Sequence, residues 1–538
     1  MKITNLLKAV AMAGAVSLLM GTAASAVTLN LGNGGEPSTL DPHKASGNWE
    51  NRIIGDFIEG LVTEAASGEA IPAQAESWTV SDDGTVYTFK LRPGIAWSDG
   101  TAITADTYVY SLRRLFNPAT AAEYAYLQFP IKNSAKIASG EITDFEQLGV
   151  RAVDPSTLEI TLEASTPYFL QALTHYTAWP VPQHLIDTVG DAWTAVGNVV
   201  SSGPYKIVEW VPGSYIRSVK NEDYYDAANV QIDEVIYHNT EDLTAALNRY
   251  RAGELDILTD FPADQYQWLQ DNLPGQAQVE PFLGIYYYVM NQQSNEALKD
   301  VRVREALSIS ILRDVIGPEI LGTGELPAYG WVPPGTANYE GETYLPAWSE
   351  LPYEERVAKA VSLMAEAGYS AANPLTLQLR YNTNDNHQRI AVAIAAMWEP
   401  LGVKVELFNA EVAVHYDALA AGDFAVGRAG WLLDYSDASN TLDLLKSGIP
   451  QDGGINWGNN YGRYSNAEFD ALLAQAAVEL DLGKRAEQLH QAEAIAMDEF
   501  AAIPIYWYVS KNVISPKITG FEANASDVHR TRWLTKSE

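Results

Sequence analysis

The stretch Ser81-Asp82-Asp83-Gly84-Thr85-Val86-Tyr87-Thr88-Phe89-Lys90-Leu91-Arg92-Pro93-Gly94-Ile95-Ala96-Trp97-Ser98-Asp99-Gly100 decides the architecture. Trp78 to Val80 leads into an Asp-Gly turn, and Thr85 to Leu91 alternates on the far side. An Asp-Gly pair between two such runs predicts a hairpin, because the turn needs backbone angles that glycine adopts without cost. Val153-Asp154-Pro155-Ser156-Thr157 followed by Leu158 to Leu162 repeats the turn-then-strand pattern. Working outward, helical periodicity covers Ala105 to Phe116, Thr240 to Ala252, Val301 to Ile316, Tyr353 to Ala367 and His387 to Pro400. Phe469 to Glu499 holds one or two more helices, while Val403 to Phe408 and Ile503 to Val509 read as strands. Strands alternating with helices predict α/β lobes.

The chain has 538 residues, enough for several domains, with 47% hydrophobic and 19% charged residues. Its formal charge of -33 repels phosphate backbones, so nucleic acid is not an expected partner. There are no cysteines, which excludes disulfides, thiolate metal sites and cysteine nucleophiles. Lys2 and Lys8 precede an apolar run from Ala9 to Met20 and the small-residue site Ala24-Ser25-Ala26. That pattern predicts a signal peptide over 1–26, cleaved after Ala26, and an exported, periplasmic mature protein. The run is shorter than the ~20 apolar residues that span a bilayer.

No catalytic motif is present: there is no GxxxxGK[ST] loop, HExxH helix or GxSxG elbow. The eight histidines are scattered, with none paired at metal-ligand spacing. Gly32-Asn33-Gly34-Gly35 leads to Pro37 rather than opening a helix, so it does not read as a nucleotide loop. The expectation is a non-enzymatic protein without metal or cofactor.

An ordered set of motifs resembles the extracytoplasmic solute-binding proteins of family 5, the peptide receptors of ABC importers. It runs from Gly35-Glu36-Pro37-Ser38-Thr39-Leu40-Asp41-Pro42-His43 and Phe57 to Leu61 through Phe89 to Gly100. Gly203-Pro204-Tyr205-Lys206, Asp300 to Leu307, Pro327-Ala328-Tyr329-Gly330 and Ala429 to Tyr435 follow, the last two resembling the oligopeptide branch. The resemblance implies an α/β, two-lobed type II (cluster C) periplasmic binding fold with an extra subdomain in the first lobe. Residues 27–48, 181–285 and 502–538 would form the first lobe, 49–180 its subdomain and 286–501 the second lobe. The hinge would lie near Tyr286-Tyr287-Tyr288 and Ala501 to Pro504. The implied partners are a peptide ligand and the membrane permease subunits of an ABC importer, served by a monomer.

The resemblance also assigns a site. Asp434 would pair with the peptide α-amino group, and Gly430, Trp431 and Leu432 would add to its backbone as a strand. Arg428 would reach a carboxylate, and His387 would help to receive the ligand's C-terminus. Glu36 would lie near the ligand and the contact between lobes, with Tyr124 and Tyr287 facing the ligand. The family pattern is broken at the carboxylate end. Ile320-Leu321-Gly322-Thr323-Gly324 has no lysine, Leu419 replaces an arginine, and a tryptophan and a glutamate are missing near Val412 and Val289. That points to a ligand with an α-amino group but a different tail, length or modification. Other ligands of the same fold are a dipeptide, an opine, a murein peptide, a metal chelate or a sugar. A secreted hydrolase and a peptide sensor are readings from other classes.

Overall fold

The structure, a computed structural model, describes residues 26–339, 343–451 and 454–537. The signal-peptide assignment lies, except for Ala26, outside the described residues. The quoted hairpin forms from Ala75–Val80 and Val86–Leu91, inside a four-stranded antiparallel sheet completed by Thr157–Thr161 and Val150–Asp154. Its turn is set by Asp83, whose carboxylate accepts from the Thr85 N–H and the Ser81 hydroxyl, and by Gly84 at φ +69°. Leu158 and Ile160 bury one face of this sheet with Phe89 and Leu91, against the helix Ala105–Phe116.

A second sheet, of eleven strands among the described residues, runs through the whole molecule. One end holds Val403–Ala410, Leu375–Asn382 and Val426–Leu432; the other holds Ile257–Leu258, Thr28–Gly32, Glu234–His238, Tyr215–Lys220 and Tyr205–Val211. Two long antiparallel strands, Ala277–Met290 and Ala502–Ile514, join the ends. Ala277 to Pro281 pairs with Val509 to Val513, and Ile285 to Val289 pairs with Ala502 to Trp507. Between Pro281 and Ile285 the register shifts, and a smaller shift follows between Tyr286 and Tyr287. Proline has no N–H for a ladder bond, so the interruption begins where the sequence removes a donor. Within it, the Leu283 N–H donates to Ala525 O and the Leu283 carbonyl accepts from Leu433. Leu283 is thus tied to Ala525 and Leu433 rather than to the facing long strand, and Tyr286-Tyr287-Tyr288 lies beyond the main break, buried and paired.

Strand alternation explains the second lobe's two cores. Tyr286, Tyr288 and Met290 point to one face, with Leu377, Ile394 and Trp398; Ile285, Tyr287 and Val289 point to the other, with Trp331, Ala429 and Leu489. One large core around Ile54, Phe57, Phe89, Tyr108 and Trp179 also takes in Leu29, Val235, Ile514 and Leu534.

The helix expected over Val301 to Ile316 stops at Ile309. Arg313 ends it: the fully buried guanidinium donates to Ser308 O and Pro504 O. A helix end leaves carbonyls unpaired, and an arginine folded back onto them offsets that loss. Phe469 to Glu499 is two helices, Ala467–Ala476 and Leu482–Asp498.

Candidate functional site

The site lies where the strand Val426–Leu432 outruns its neighbour. On one side it pairs with Met290 to Gly284 along its whole length; on the other it meets Leu375–Asn382 only at Val426 and Gly427. In an antiparallel ladder alternate residues turn their backbone groups to the partner. Because Leu433 donates to Leu283 O, Trp431 and Ala429 face that side too. The N–H and C=O of Gly430 and Leu432 therefore face the open edge, a template for an added extended chain. Leu432 is 49% exposed.

Asp434 follows directly. Its Oδ1 accepts from the Tyr126 hydroxyl at 3.1 Å, across from the subdomain, and its Oδ2 accepts from Asn440 Nδ2 at 3.4 Å. The Asn440 Oδ1 accepts from both the Asp434 N–H and the Trp431 indole, at 3.2 and 2.7 Å. Burial pushes the Asp434 carboxyl above the usual aspartate value, against the hydrogen bonds from Asn440 and Tyr126. Among the described residues no cation forms an ion pair with it. Tyr126 remains a donor, because burial and the Asp434 charge both push its phenol up. The carboxylate borders two cavities. The inner one, about 390 Å³, is walled by Trp49, Tyr124 and His175 from the N-terminal part of the chain and by Leu432, Asp434 and Tyr435 from the end of the strand Val426–Leu432 and the residues after it. The outer one, about 780 Å³, opens on the other side.

Two residues before Gly430 on the same strand, Arg428 is buried. It donates to the Tyr508 hydroxyl at 3.0 Å and to the Tyr416 hydroxyl and Asn382 Oδ1 at 3.1 Å, and lies 4.6 Å from the Tyr286 ring centre. No carboxylate pairs with it among the described residues, and its Nε has no hydrogen-bond partner there. A Cβ on Gly430 would stand 2.8 Å from Arg428 Nη2 and 2.9 Å from the Tyr508 oxygen, so this crowding requires glycine. His387 opens the helix Asp385–Trp398, capped by Asn384. Burial, reinforced by Arg428, pulls its imidazole down to about 4, so the ring is neutral at neutral pH. Nδ1 contacts the Asn382 carbonyl at 3.2 Å and therefore carries the proton. Nε2 then presents a lone pair and accepts; receiving a carboxylate there requires the ring to take up a proton.

A family model described as bacterial extracellular solute-binding proteins, family 5 middle, matches residues 69–452. The chain belongs to that family. It is 37% identical over 500 residues to the periplasmic oligopeptide-binding protein OppA of Salmonella typhimurium, covering 92% of this chain and 89% of the relative. Its identity to the periplasmic murein peptide-binding protein MppA of Escherichia coli is 38% over 507 residues, 93% and 92% of the two chains. Among solved structures, the unliganded open form of the periplasmic murein tripeptide-binding protein MppA superposes with a TM-score of 0.86 at 36% identity. That match covers 95% of this chain and 98% of the other. The fold is the two-lobed type II binding fold, and the relatives place the chain in the oligopeptide branch of family 5.

Of the residues expected at the site, Leu432 and Asp434 line the inner cavity, Trp431 and Asp434 line the outer one, and Gly430 lines neither; Arg428 and His387 form a second group beside the Tyr286 ring. Trp431 presents its side chain, not its backbone, on the Asp434 side, since its backbone groups are turned to Ile285. Tyr124 lines the inner cavity beside His175, with ring centres 6.0 Å apart. Tyr287 is placed differently from the sequence expectation: it is 1% exposed, edge-on to Trp331 in a second-lobe core, because strand alternation turns it from the face of Tyr286. Glu36 accepts from the Trp210 indole at 2.8 Å and lines neither cavity. Sequence reasoning missed Tyr126 and Asn440. Tyr126 stands two residues from the tyrosine chosen, in Glu123-Tyr124-Ala125-Tyr126, and nothing local distinguishes them; Asn440 resembles an ordinary helix residue.

Proposed function

We propose that this protein is the periplasmic receptor of a peptide ABC importer. It encloses a peptide between its lobes, holds the α-amino group on Asp434 and the backbone on Gly430 and Leu432, and delivers it to the membrane permease. Export would follow cleavage after Ala26, and the receptor would dock as a monomer. The first lobe would be 27–48, 181–285 and 502–538, its subdomain 49–180 and the second lobe 286–501. The relatives are named as binding proteins, which supports a role without turnover.

One observation carries the reading: an acid at the interlobe cleft, raised by burial, has only neutral hydroxyl and amide donors. A half-buried carboxylate in that position gains most from a ligand cation, since a charge-assisted bond there is stronger than a neutral one. The unpaired edge beside it supplies sequence-independent backbone pairing. Closure is then driven by the ligand's greater affinity for the closed form.

A modified tail is supported by the segment Ile320 to Gly324, which has no lysine where the family pattern has one; Glu325 follows it. Glu325 is 8% exposed and bonded to Thr323 Oγ1 and, at 3.3 Å, to Lys511. Glu325 is thus paired within the protein, and it is the missing lysine that favours a ligand whose tail, length or modification differs from that of a simple peptide. Native mass spectrometry of the exported protein, before and after mild unfolding, tests the function. Release of short-peptide masses is expected; a single non-peptide mass would overturn it.

A further inference from the structure

The motif Pro327-Ala328-Tyr329-Gly330 leads into Trp331-Val332-Pro333-Pro334-Gly335-Thr336-Ala337-Asn338-Tyr339, a strap to which nothing above gives a role. The strap belongs to no helix or strand, so its backbone groups depend on partners elsewhere. Glu493 supplies them at both ends. It is fully buried in the helix Leu482–Asp498, and its Oε1 accepts the N–H groups of Trp331 and Val332, at 2.5 and 2.9 Å. Its Oε2 accepts from the Tyr339 hydroxyl. Between these anchors Pro333 and Pro334 restrict φ, and the Thr336 hydroxyl folds back onto Pro333 O at 2.7 Å. An acid suits the post because a carboxylate accepts at both oxygens.

The strap in turn grips the Asp434 turn from two sides. The Trp331 indole N–H donates to Thr441 O at 2.8 Å, in the short helix Ala438–Leu442. Thr441 adjoins Asn440, whose side chain bonds both the N–H and the carboxylate of Asp434. On the other side the Ala337 N–H donates to Ser436 Oγ at 2.9 Å, two residues past Asp434. The helix of Glu493 also carries Arg485, which pairs with Asp437. The turn is thus supported at Ser436, Asp437 and Thr441, and the first and last of these supports run through the strap.

Resting on the assignment of the α-amino group to Asp434, we infer that Glu493 is a positioning residue of that site: it fixes the strap, and the strap holds the Asp434 carboxylate where a ligand ammonium meets it. Glu493 itself touches no ligand. A charge-assisted bond keeps its strength only when its groups are held to within ~0.5 Å. Removing Glu493 leaves two buried N–H groups and a phenol without an acceptor, so the strap must shift to satisfy them.

Titration calorimetry with trialanine and its N-acetylated form tests this, the readout being the ratio of the two dissociation constants. The ratio is roughly 100 in wild type and should fall below about ten in Glu493→Ala, with the acetylated peptide changed less than about threefold. Glu493→Gln keeps one oxygen for the two N–H donors and should recover most of the ratio. Trp331→Phe/Ser436→Ala keeps the ring that lies edge-on to Tyr287 and removes both tethers, so it should lower the ratio like Glu493→Ala. A ratio within about twofold of wild type in Glu493→Ala overturns the inference, as does an equal loss of affinity for both peptides. If Glu493→Ala does not fold, an unchanged ratio in Trp331→Phe/Ser436→Ala overturns it instead. A wild-type protein that does not distinguish the two peptides removes the Asp434 reading and this one with it. A wild-type ratio that survives in the variants removes only the role of Glu493.

Discussion

Replacing Asp434 by asparagine keeps the shape of the side chain and removes its charge. In the protein that carboxylate has two neutral donors, at 3.1 and 3.4 Å, and no cationic partner among the described residues. An ammonium at ~3 Å would be attracted by about 5 kcal/mol at an effective dielectric of ~20. Desolvation of both groups offsets part of that. Removing one member of a buried, hydrogen-bonded charge pair across an interface costs about 2–5 kcal/mol. For a half-buried acid about 3 kcal/mol is the working value, equivalent to roughly 100-fold in Kd. The assay is titration calorimetry of wild type and Asp434→Asn with a tripeptide and its N-acetylated form. Wild type should lose roughly 100-fold on acetylation, while the variant should bind the two forms alike. The pH dependence has a definite sign. Burial raises the Asp434 carboxyl, and a bound ammonium favours its ionised form. Affinity is therefore full above that raised value and falls as pH drops through it, beginning at a higher pH than for an exposed aspartate. A variant that still prefers the free amine as strongly as wild type does would refute the reasoning.

Tyr126→Phe removes a hydrogen bond that lowers the Asp434 pKa, so the acid limb of the affinity profile should move to higher pH; an unmoved limb would show that the contact is incidental. Gly430→Ala drives a methyl group toward Arg428 and Tyr508, so the melting temperature should fall, and an unchanged melting temperature would show that these side chains give way without cost. Below the Asp434 turn, Arg485 pairs with Asp437 at 2.7 and 2.8 Å, both fully buried. Breaking one partner by Arg485→Met should cost about 3–5 kcal/mol of stability, measured by denaturant unfolding, and adding Asp437→Leu should recover much of it.

The local grammar of the chain was readable. Asp83-Gly84 placed the hairpin, and Ala105 to Phe116 was read as the helix to its end residues. Boundaries failed where a distant group set them, as at Ile309, where Arg313 takes carbonyls from the helix and from Pro504. The Asp434 segment was legible because its glycine, tryptophan and acid sit within five residues. Tyr126 was not, because it reaches Asp434 across 308 positions and its neighbour Tyr124 has the same chemistry. Tyr287 was misjudged because both faces of its strand pack into cores, which three successive tyrosines in the sequence do not reveal.

The sequence alone determined the class: strand and turn chemistry, the lack of cysteine and catalytic motifs, and the ordered run of family motifs are all short-range or additive. Which tyrosine meets the acid, which backbone groups remain unpaired and where a second chamber opens were decided only by the tertiary structure. Each depends on strand register and on how far one strand outruns the next. Those are properties of pairing between segments far apart in the chain, from Leu379 with Val426 to Tyr126 with Asp434, which local pattern does not encode.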